Sequence, residues 1–281
     1  MDFRTEQAHE RYDAVVARSR DLVVGLDFDG TLSPIVPDPA RAVIHPEAPE
    51  TLAALAAHVR AVVVITGRPA RQVVSLGHLE DLADGLPPGA ELAVMGAYGH
   101  ERWDSRTREF VSPEPPAGLA AFREELPTLL AEQDAADALV EEKGLAVAVH
   151  VRQLADPPEV FERLRRTLAE AAERHHLTLE PGRLVLEVRA PGMHKGLAVQ
   201  AAVQEHDARA VVFVGDDLGD LQAFEAARVM REGGLPSLLV CSGSDEQEAL
   251  AELADVVVDG PRGVVSLLSD LIADAERAEA R

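Results

Sequence analysis

The sequence predicts an α/β protein: a Rossmann-like parallel sheet core with a smaller α/β layer inserted into it. Short apolar runs alternate with helical patterns over most of the chain, whereas strands in the middle alternate polar and apolar residues. At 281 residues, with 47% hydrophobic and 27% charged residues, the chain has a globular composition and the length of one large or two coupled domains.

The core elements follow one another in a regular order. Nearly continuous β-branched runs predict strands covered on both faces; they lie at residues 22–26, 61–65, 92–95, 211–214, 238–240 and 256–258. Apolar residues at three and four spacing predict helices; they lie near residues 46–59, 194–205, 218–228, 246–253 and 262–276. This alternation implies a parallel, doubly wound sheet.

The middle of the chain has a different pattern. Helices are expected near 117–133 and 157–175, and strands of alternating or mixed character at 145–151 and 184–188. Alternation is typical of a sheet with one open face. We therefore expect an inserted domain at 105–190 within a core formed by 1–104 and 191–281.

Charge and cysteine content exclude several classes of protein. Twenty-seven basic against 49 acidic residues give a net charge of −22, which repels nucleic acid and anionic membranes. The N-terminus lacks a signal-peptide pattern and no apolar run could span a membrane, so we expect a cytoplasmic protein. The single cysteine, Cys241, excludes an internal disulfide and is expected in a buried strand.

Polar clusters begin where three predicted parallel strands end. They are Asp27, Asp29 and Gly30 after the first, Thr66, Gly67 and Arg68 after the second, and Asp216, Asp217 and Asp220 after the fourth. The carboxyl ends of neighbouring parallel strands meet at one crevice, where ligands bind in open α/β sheets.

Asp27 and Asp29 place two carboxyl groups in one turn, and Gly30 permits close approach of an anion. Alone, the pattern also fits an Asx turn or a helix cap. A second carboxylate cluster at the same edge would require a hard cation, and oxygen ligands favour Mg²⁺.

Two further signals indicate phosphate binding. Thr66 is either a helix N-cap or, with the amides of Gly67 and Arg68, a phosphate ligand, and the two roles are compatible. Among 27 basic residues only Lys143 and Lys195 are lysines. Lys195 opens a predicted helix, where a cation is unfavourable unless a bound phosphate compensates it.

These motifs, in order and spacing, resemble those of haloacid dehalogenase (HAD)-type phosphatases: LDFDGTL at 26–32, ITGR at 65–68, HKG at 194–196 and GDDLGD at 215–220. More narrowly, the chain from about residue 21 to 271 resembles the trehalose-6-phosphate phosphatase family. The supporting segments are GAYGHE at 96–101, EEKG at 141–144, VHVR at 149–152, LEVRAPGMHKG at 186–196 and DVVVDGPRGV at 255–264. There is no GxGxxG, Walker loop, GxSxG or HExxH pattern to support another reading.

The resemblance implies a HAD-type fold with a mobile cap, and a reaction in which Asp27 forms an aspartyl-phosphate. It makes Asp29 the general acid and base, and Thr66 and Lys195 the holders of the phosphoryl oxygens. Mg²⁺ would be held by Asp27, the main-chain carbonyl of Asp29 and Asp216, with Asp217 and Asp220 also expected at the metal site. Asp220 would orient Lys195 or a metal-bound water.

The resemblance assigns sugar recognition to the cap, through Glu141, Lys143, Arg152 and Glu187; His150, two positions before Arg152, is grouped with them. The expected partner is a small sugar phosphate and the expected state a monomer, with no nucleic acid or membrane bound.

The acidic motif departs from the family's usual GDDxTDE, because Gly219 and Leu221 replace a hydroxyl and a carboxylate. Hydrolysis of another sugar phosphate, such as sucrose phosphate or a mannosyl phosphoglycerate, therefore remains an alternative, as does a non-catalytic sugar-phosphate sensor.

Overall fold

A computed structural model describes residues 2–36, 38–182, 184–243 and 248–280. The chain divides into two compact units. One contains the stretches up to Ser112 and from His194 onward, and the other is Pro113–Met193. We call them the core and the cap.

The strands of the described residues are numbered in chain order. They are β1 (Asp2–Phe3), β2 (Leu22–Leu26), β3 (Ala61–Ile65), β4 (Leu92–Gly96), β5 (Glu101–Asp104), β6 (Phe110–Val111), β7 (Leu139–Glu142), β8 (Ala146–His150), β9 (Thr178–Gly182), β10 (Val185–Arg189), β11 (Ala210–Gly215), β12 (Ser237–Gly243) and β13 (Val256–Asp259).

The α-helices are numbered in the same way. They are α1 (Glu6–Val16), α2 (Ala48–Ala56), α3 (Ala70–Leu76), α4 (Leu79–Asp84), α5 (Ala117–Glu132), α6 (Pro157–Arg174), α7 (Lys195–Glu205), α8 (Leu221–Glu232), α9 (Glu248–Leu253) and α10 (Gly260–Glu279). None of these helices has the length and apolar composition needed to cross a membrane.

The core strands form one sheet in the order β1-β13-β12-β11-β2-β3-β4-β5-β6. The six strands predicted from apolar runs are its parallel centre, from β13 to β4, and that prediction is confirmed. Register aligns their ends: Leu26 pairs with Val64 on β3 and with Val214 on β11. The loops after β2, β3 and β11 therefore leave the sheet at the same level.

Both faces of the parallel strands are buried, as their continuous apolar sequences predict. On one face Val24 and Val64 pack with Leu52 of α2 and Leu268 of α10. On the other, Phe213 packs with residues of α7 and α8, and its ring meets Phe224 edge to face at 6.0 Å between centroids. Helices thus cover both faces, which makes the sheet doubly wound. Cys241 lies buried in β12, as expected.

The cap is an antiparallel sheet with two helices. Its described strands run in the order β7-β8-β10-β9, and α5 and α6 pack against one face through Val147, Val149 and Leu186. Strand alternation places Glu141, Ala148 and Glu187 on the opposite face, where they pair in one row. The predicted strands at 145–151 and 184–188 correspond to β8 and β10, whereas β7 and β9 were not predicted.

The core extends further along the chain than predicted. Residues 105–112 were expected in the insert, but β6 pairs with β5 in the core sheet, so the division falls at 113 and 193 instead of 105 and 190. The predicted helix 218–228 is a short 3-10 turn, Leu218–Asp220, followed by α8. Residues 246 and 247 of the predicted helix 246–253 lie outside the described residues.

Candidate active site

The loop after β2 carries the first two aspartates. The amide of Asp27 donates to the carbonyl of Val214 at 2.9 Å, which continues the β2–β11 ladder and fixes Asp27 at the carboxyl edge. Its side chain is buried, only 4% of the residue being exposed. The chain then turns at Gly30, whose φ of +72° favours glycine.

Gly30 also makes room for a carboxylate from another strand. A Cβ added there would overlap the Asp216 carboxyl group and lie 2.9 Å from Asp216 Cβ. The Gly30 carbonyl accepts a hydrogen bond from Ser242 Oγ at 2.6 Å, which ties this loop to β12. Asp27 and Asp216 therefore reach the same space, as the register of their strands predicts.

Lys195, the first residue of α7, lies between two of the carboxylates. Its Nζ is 2.7 Å from Asp27 Oδ1 and 2.7 Å from Asp220 Oδ1, and all three side chains are buried. These carboxylates offset the unfavourable position of a cation at a helix N-terminus. Two carboxylates of the protein thus compensate the lysine charge, whereas its helix position alone predicted a bound phosphate in that role.

Asp220 organises the loop after β11. Its Oδ2 accepts hydrogen bonds from the amides of Asp216 at 2.9 Å and Asp217 at 3.3 Å. Asp217 is exposed, and its Oδ1 accepts the Gly219 amide at 2.8 Å, so this side chain caps the 3-10 turn. Asp217 is not among the carboxylates that the structure brings together.

Those carboxylates are Asp27, Asp216 and Asp220, which we call the aspartate triad. Each has an oxygen within 4.8 Å of an oxygen of the other two. With every group ionised, the triad and Lys195 together carry a charge of −2. A buried net charge of this size needs a counter-ion, and oxygen ligands suit Mg²⁺. The residues therefore fit a divalent cation.

The titration behaviour of these groups reflects the same crowding. Burial, followed by the charge of Asp27, raises the pKa of Asp216 to about 10. Burial likewise raises the pKa of Asp27 and of Asp220, against the opposing attraction of Lys195. For Lys195, burial lowers the pKa but Asp220 and Asp27 outweigh it, so its pKa lies well above the ordinary value.

The loop after β3 joins the site through Thr66 and Arg68. The Arg68 guanidinium binds both carboxylate oxygens of Asp29, from Nε at 2.6 Å and from Nη2 at 2.7 Å. Its amide donates to Thr66 Oγ1 at 3.1 Å. The Arg68 side chain thus fixes the orientation of Asp29. Phosphate binding at Gly67 and Arg68 through their amides stays a prediction.

Thr66 is not a helix N-cap. α3 begins after Pro69, and the Ala70 amide donates to Glu101 Oε2 on β5 at 2.7 Å. Gly67 leaves room for Tyr98, because a Cβ at residue 67 would lie 2.7 Å from Cζ of the Tyr98 ring.

The cap residues assigned to sugar recognition form a separate cluster on the open face of the cap sheet. Lys143 Nζ donates to Glu187 Oε2 at 2.7 Å, and His150 Nε2 lies 3.0 Å from Glu141 Oε2. These four residues are brought together. Arg152 lies beyond the end of β8 with an exposed side chain.

Three contributors were missed by sequence reasoning. Glu101 anchors α3, Ser242 holds the Gly30 carbonyl, and Arg189 donates to Glu187 Oε1 at 2.9 Å. A signal existed for two of them. Ser242 is a hydroxyl at the end of an apolar strand, and Arg189 follows Glu187 by two, which puts both on one face of a strand.

Solved structures share the overall fold. The trehalose-6-phosphate phosphatase C-terminal domain of C. albicans matches with a TM-score of 0.76 and 18% identity, over 97% of this chain and 98% of that one. A haloacid dehalogenase-like hydrolase from Bacteroides thetaiotaomicron matches with a TM-score of 0.62 and 16% identity, over 90% and 99%. The fold is that of the HAD-like hydrolases.

The family is set by sequence. The trehalose-phosphatase family model matches residues 25–107 and 122–257. The trehalose-6-phosphate phosphatase of Escherichia coli (strain K12) is 30% identical over 233 residues, which is 82% of each chain. Probable trehalose-phosphate phosphatase 3 of Oryza sativa subsp. japonica is 30% identical over 277 residues, 90% of this chain and 74% of that one. The chain belongs to the trehalose-phosphatase family.

Proposed function

We propose that this protein hydrolyses trehalose 6-phosphate to trehalose and inorganic phosphate, with Mg²⁺ and through an aspartyl-phosphate on Asp27. The observation that carries the proposal is the buried aspartate triad with Lys195 on Asp27, in a chain of the trehalose-phosphatase family. Relatives known as trehalose-phosphate phosphatases favour this substrate over other sugar phosphates.

In the first step an oxygen of Asp27 attacks phosphorus and the bond from phosphorus to the sugar oxygen breaks. The leaving oxygen takes a proton from Asp29, two residues along the same turn. Arg68 holds both oxygens of Asp29 and so sets the direction from which this carboxyl group approaches. Trehalose leaves and the phosphoryl group remains on Asp27.

In the second step a water molecule attacks the phosphorus of the aspartyl-phosphate and gives a proton to Asp29. The bond between phosphorus and Asp27 breaks, which releases inorganic phosphate and restores the carboxylate. Water thus replaces the proton that Asp29 gave to the sugar oxygen, so protons balance over the cycle.

Charge on the phosphoryl oxygens is held by Thr66, the amides after it, and Lys195. Asp220 keeps the lysine ammonium in place at 2.7 Å and fixes the loop that carries Asp216. Mg²⁺ would be held by Asp27, Asp216 and the Asp29 carbonyl, and when bound it offsets the negative charge of the carboxylates and the substrate.

The cap cluster supplies recognition of the sugar. Glu141, Lys143 and Glu187 offer acceptors and donors suited to vicinal hydroxyl groups, and His150 adds a further one. These side chains form two hydrogen-bonded pairs, Lys143 with Glu187 and His150 with Glu141, and Lys143 Nζ lies 4.0 Å from Glu141 Oε2. Their polar atoms are therefore restrained before a ligand arrives. Arg152 is expected to contribute from its exposed position.

The test is phosphate release from a panel of sugar phosphates, with and without Mg²⁺, by the wild type and the Asp27→Asn variant. We expect preferential, Mg²⁺-dependent turnover of trehalose 6-phosphate and loss of turnover in the variant. Asp81→Asn, an exposed residue of α4, is the matched control and should keep wild-type rates. Acid quenching during turnover should trap phosphorylated protein in the wild type only.

The alternatives give different results. Faster turnover of sucrose phosphate or a mannosyl phosphoglycerate would overturn the substrate and keep the chemistry. Binding without turnover of any ester would favour a sugar-phosphate sensor. The cytoplasmic location, the monomeric state and the lack of nucleic-acid partners stay predictions.

A further inference from the structure

We infer that Arg189 is a positioning residue for sugar recognition: it holds Glu187, and Glu187 in turn fixes the ammonium group of Lys143. The inference rests on the proposed function and adds a residue that the family motifs did not assign to it. Its basis is a continuous line of contacts on the open face of the cap sheet.

The line of contacts begins at Glu187, whose two oxygens are held by different cations. Oε1 accepts from Arg189 Nη1 at 2.9 Å, and Oε2 accepts from Lys143 Nζ at 2.7 Å. Glu187 is thus a bridge between a residue of its own strand and a residue of the loop after β7. A change at one oxygen turns the carboxylate plane and moves the other.

The register of the cap sheet makes this arrangement possible. Glu187 pairs with Ala148 of β8, and Arg189 pairs with Ala146. Both partners are alanines, and their short side chains leave the middle of this face open for the longer ones from either side. The Lys143 amide donates to the Ala146 carbonyl at 3.0 Å, which places Lys143 in the same row as Arg189.

The exposures of the three side chains indicate which of them can contact a ligand. The Lys143 side chain is 18% exposed, whereas those of Glu187 and Arg189 are each 7% exposed. Lys143 is therefore the member most accessible to a ligand. Arg189 is more buried and acts through Glu187.

The chemistry of the two cations fits these roles. A lysine ammonium sits on a flexible four-carbon stem and needs an external contact to stay in one place. The guanidinium of Arg189 is planar, and its Nη2 also lies 3.7 Å from Glu180 Oε1 on β9, a second charged neighbour. Arg189 is thus held by two glutamates, and it can in turn hold Glu187 in the position that Lys143 requires.

The test is a double-mutant cycle on the full chain, with Arg189→Met, Lys143→Ala and the double variant. The readouts are kcat and KM for trehalose 6-phosphate and for para-nitrophenyl phosphate, a small ester that carries no sugar. We expect Arg189→Met to raise KM for trehalose 6-phosphate about tenfold, with kcat within twofold and the small ester unaffected. In the Lys143→Ala background, Arg189→Met should raise KM for trehalose 6-phosphate by less than a further twofold.

Two further variants separate positioning from a merely structural role. Arg189→Lys keeps a charge beside Glu187, so its KM for trehalose 6-phosphate should rise less than that of Arg189→Met. It also tests the inference if Arg189→Met fails to fold. Arg163→Met removes another cap arginine, paired with Glu159 at 2.9 Å on α6, and should leave both KM values unchanged.

Independent effects of the two single substitutions, whose product equals the double, would overturn the inference. So would an unchanged KM in Arg189→Met, or an equal loss on both esters. If the wild type prefers another sugar phosphate, the proposed substrate fails, and the same cycle read on the preferred ester still decides the role of Arg189.

Discussion

Replacing Gly30 by alanine tests whether Asp216 lies against the turn that follows Asp27. Two costs are expected. The φ of +72° is unfavourable for an L-residue by about 1–2 kcal/mol. In addition, the new methyl group would overlap the Asp216 carboxyl group.

The size of the displacement follows from the structure. The added Cβ would lie 2.9 Å from Asp216 Cβ, and the carboxyl atoms are nearer still. An ordinary carbon contact is about 3.5 Å, so the side chain must move by more than about 0.6 Å. Misplacement of a catalytic group by about 1 Å costs on the order of 10²-fold in rate. We expect kcat for Gly30→Ala to fall by about that factor.

Gly89→Ala is the matched control. Its φ is +87°, and a Cβ there would meet no atom within 4 Å, so this variant carries the backbone strain without the overlap. Phosphate release gives kcat, and thermal melts followed by circular dichroism give the stability of both variants. Gly89→Ala should lose stability and keep wild-type kcat. If Gly30→Ala keeps the same kcat as Gly89→Ala, Asp216 does not lie where the reasoning requires.

Three other predictions concern Arg68, Asp216 and Asp255. Arg68→Lys keeps the charge but not the two parallel hydrogen bonds to Asp29, so kcat should fall about tenfold in steady-state assays; an unchanged kcat would separate the two residues. The pKa of Asp216 is raised to about 10, so the folded protein holds this proton more tightly than the unfolded chain does. In the metal-free protein, the stability that Asp216 contributes is therefore fully present below about pH 4 and is lost as the pH rises toward 10. Mg²⁺ must displace the retained proton, so the rise in Tm caused by Mg²⁺ should be larger at pH 8 than at pH 6, and equal shifts would contradict this. Asp255→Asn removes a carboxylate that is 3% exposed and holds two arginines, so the free energy of urea unfolding should fall by about 3 kcal/mol. Exposed Asp270→Asn should change it by less than about 0.5 kcal/mol, and a similar loss in both would rule out this explanation.

Much of the fold could be predicted because its signals are local. The parallel strands are continuous apolar runs, since both faces are buried, and the loops that follow them carry the polar motifs. Strands β1, β5, β6, β7 and β9 were missed. They lie at or next to the edges of their sheets and are short or half exposed, and such strands leave only a weak pattern in the sequence.

The sequence predicted which residues lie at the site more successfully than it predicted which of them contact one another. Asp27, Asp216 and Asp220 were expected near one another, and their oxygens lie within 4.8 Å. The pairing of Arg68 with Asp29 and the outward position of Asp217 were not expected. Such contacts depend on side-chain directions in loops, which spacing along the chain does not specify.

By itself the sequence determined the order of strands and helices, the acidic motifs at the strand ends and the family to which the chain belongs. Only the tertiary structure decided which charges are paired: Lys195 with Asp27 and Asp220, and Glu187 with both Lys143 and Arg189. The physical reason is that burial makes an unpaired charge costly, so each buried group must find its partner among residues that folding, not sequence separation, brings within about 3 Å.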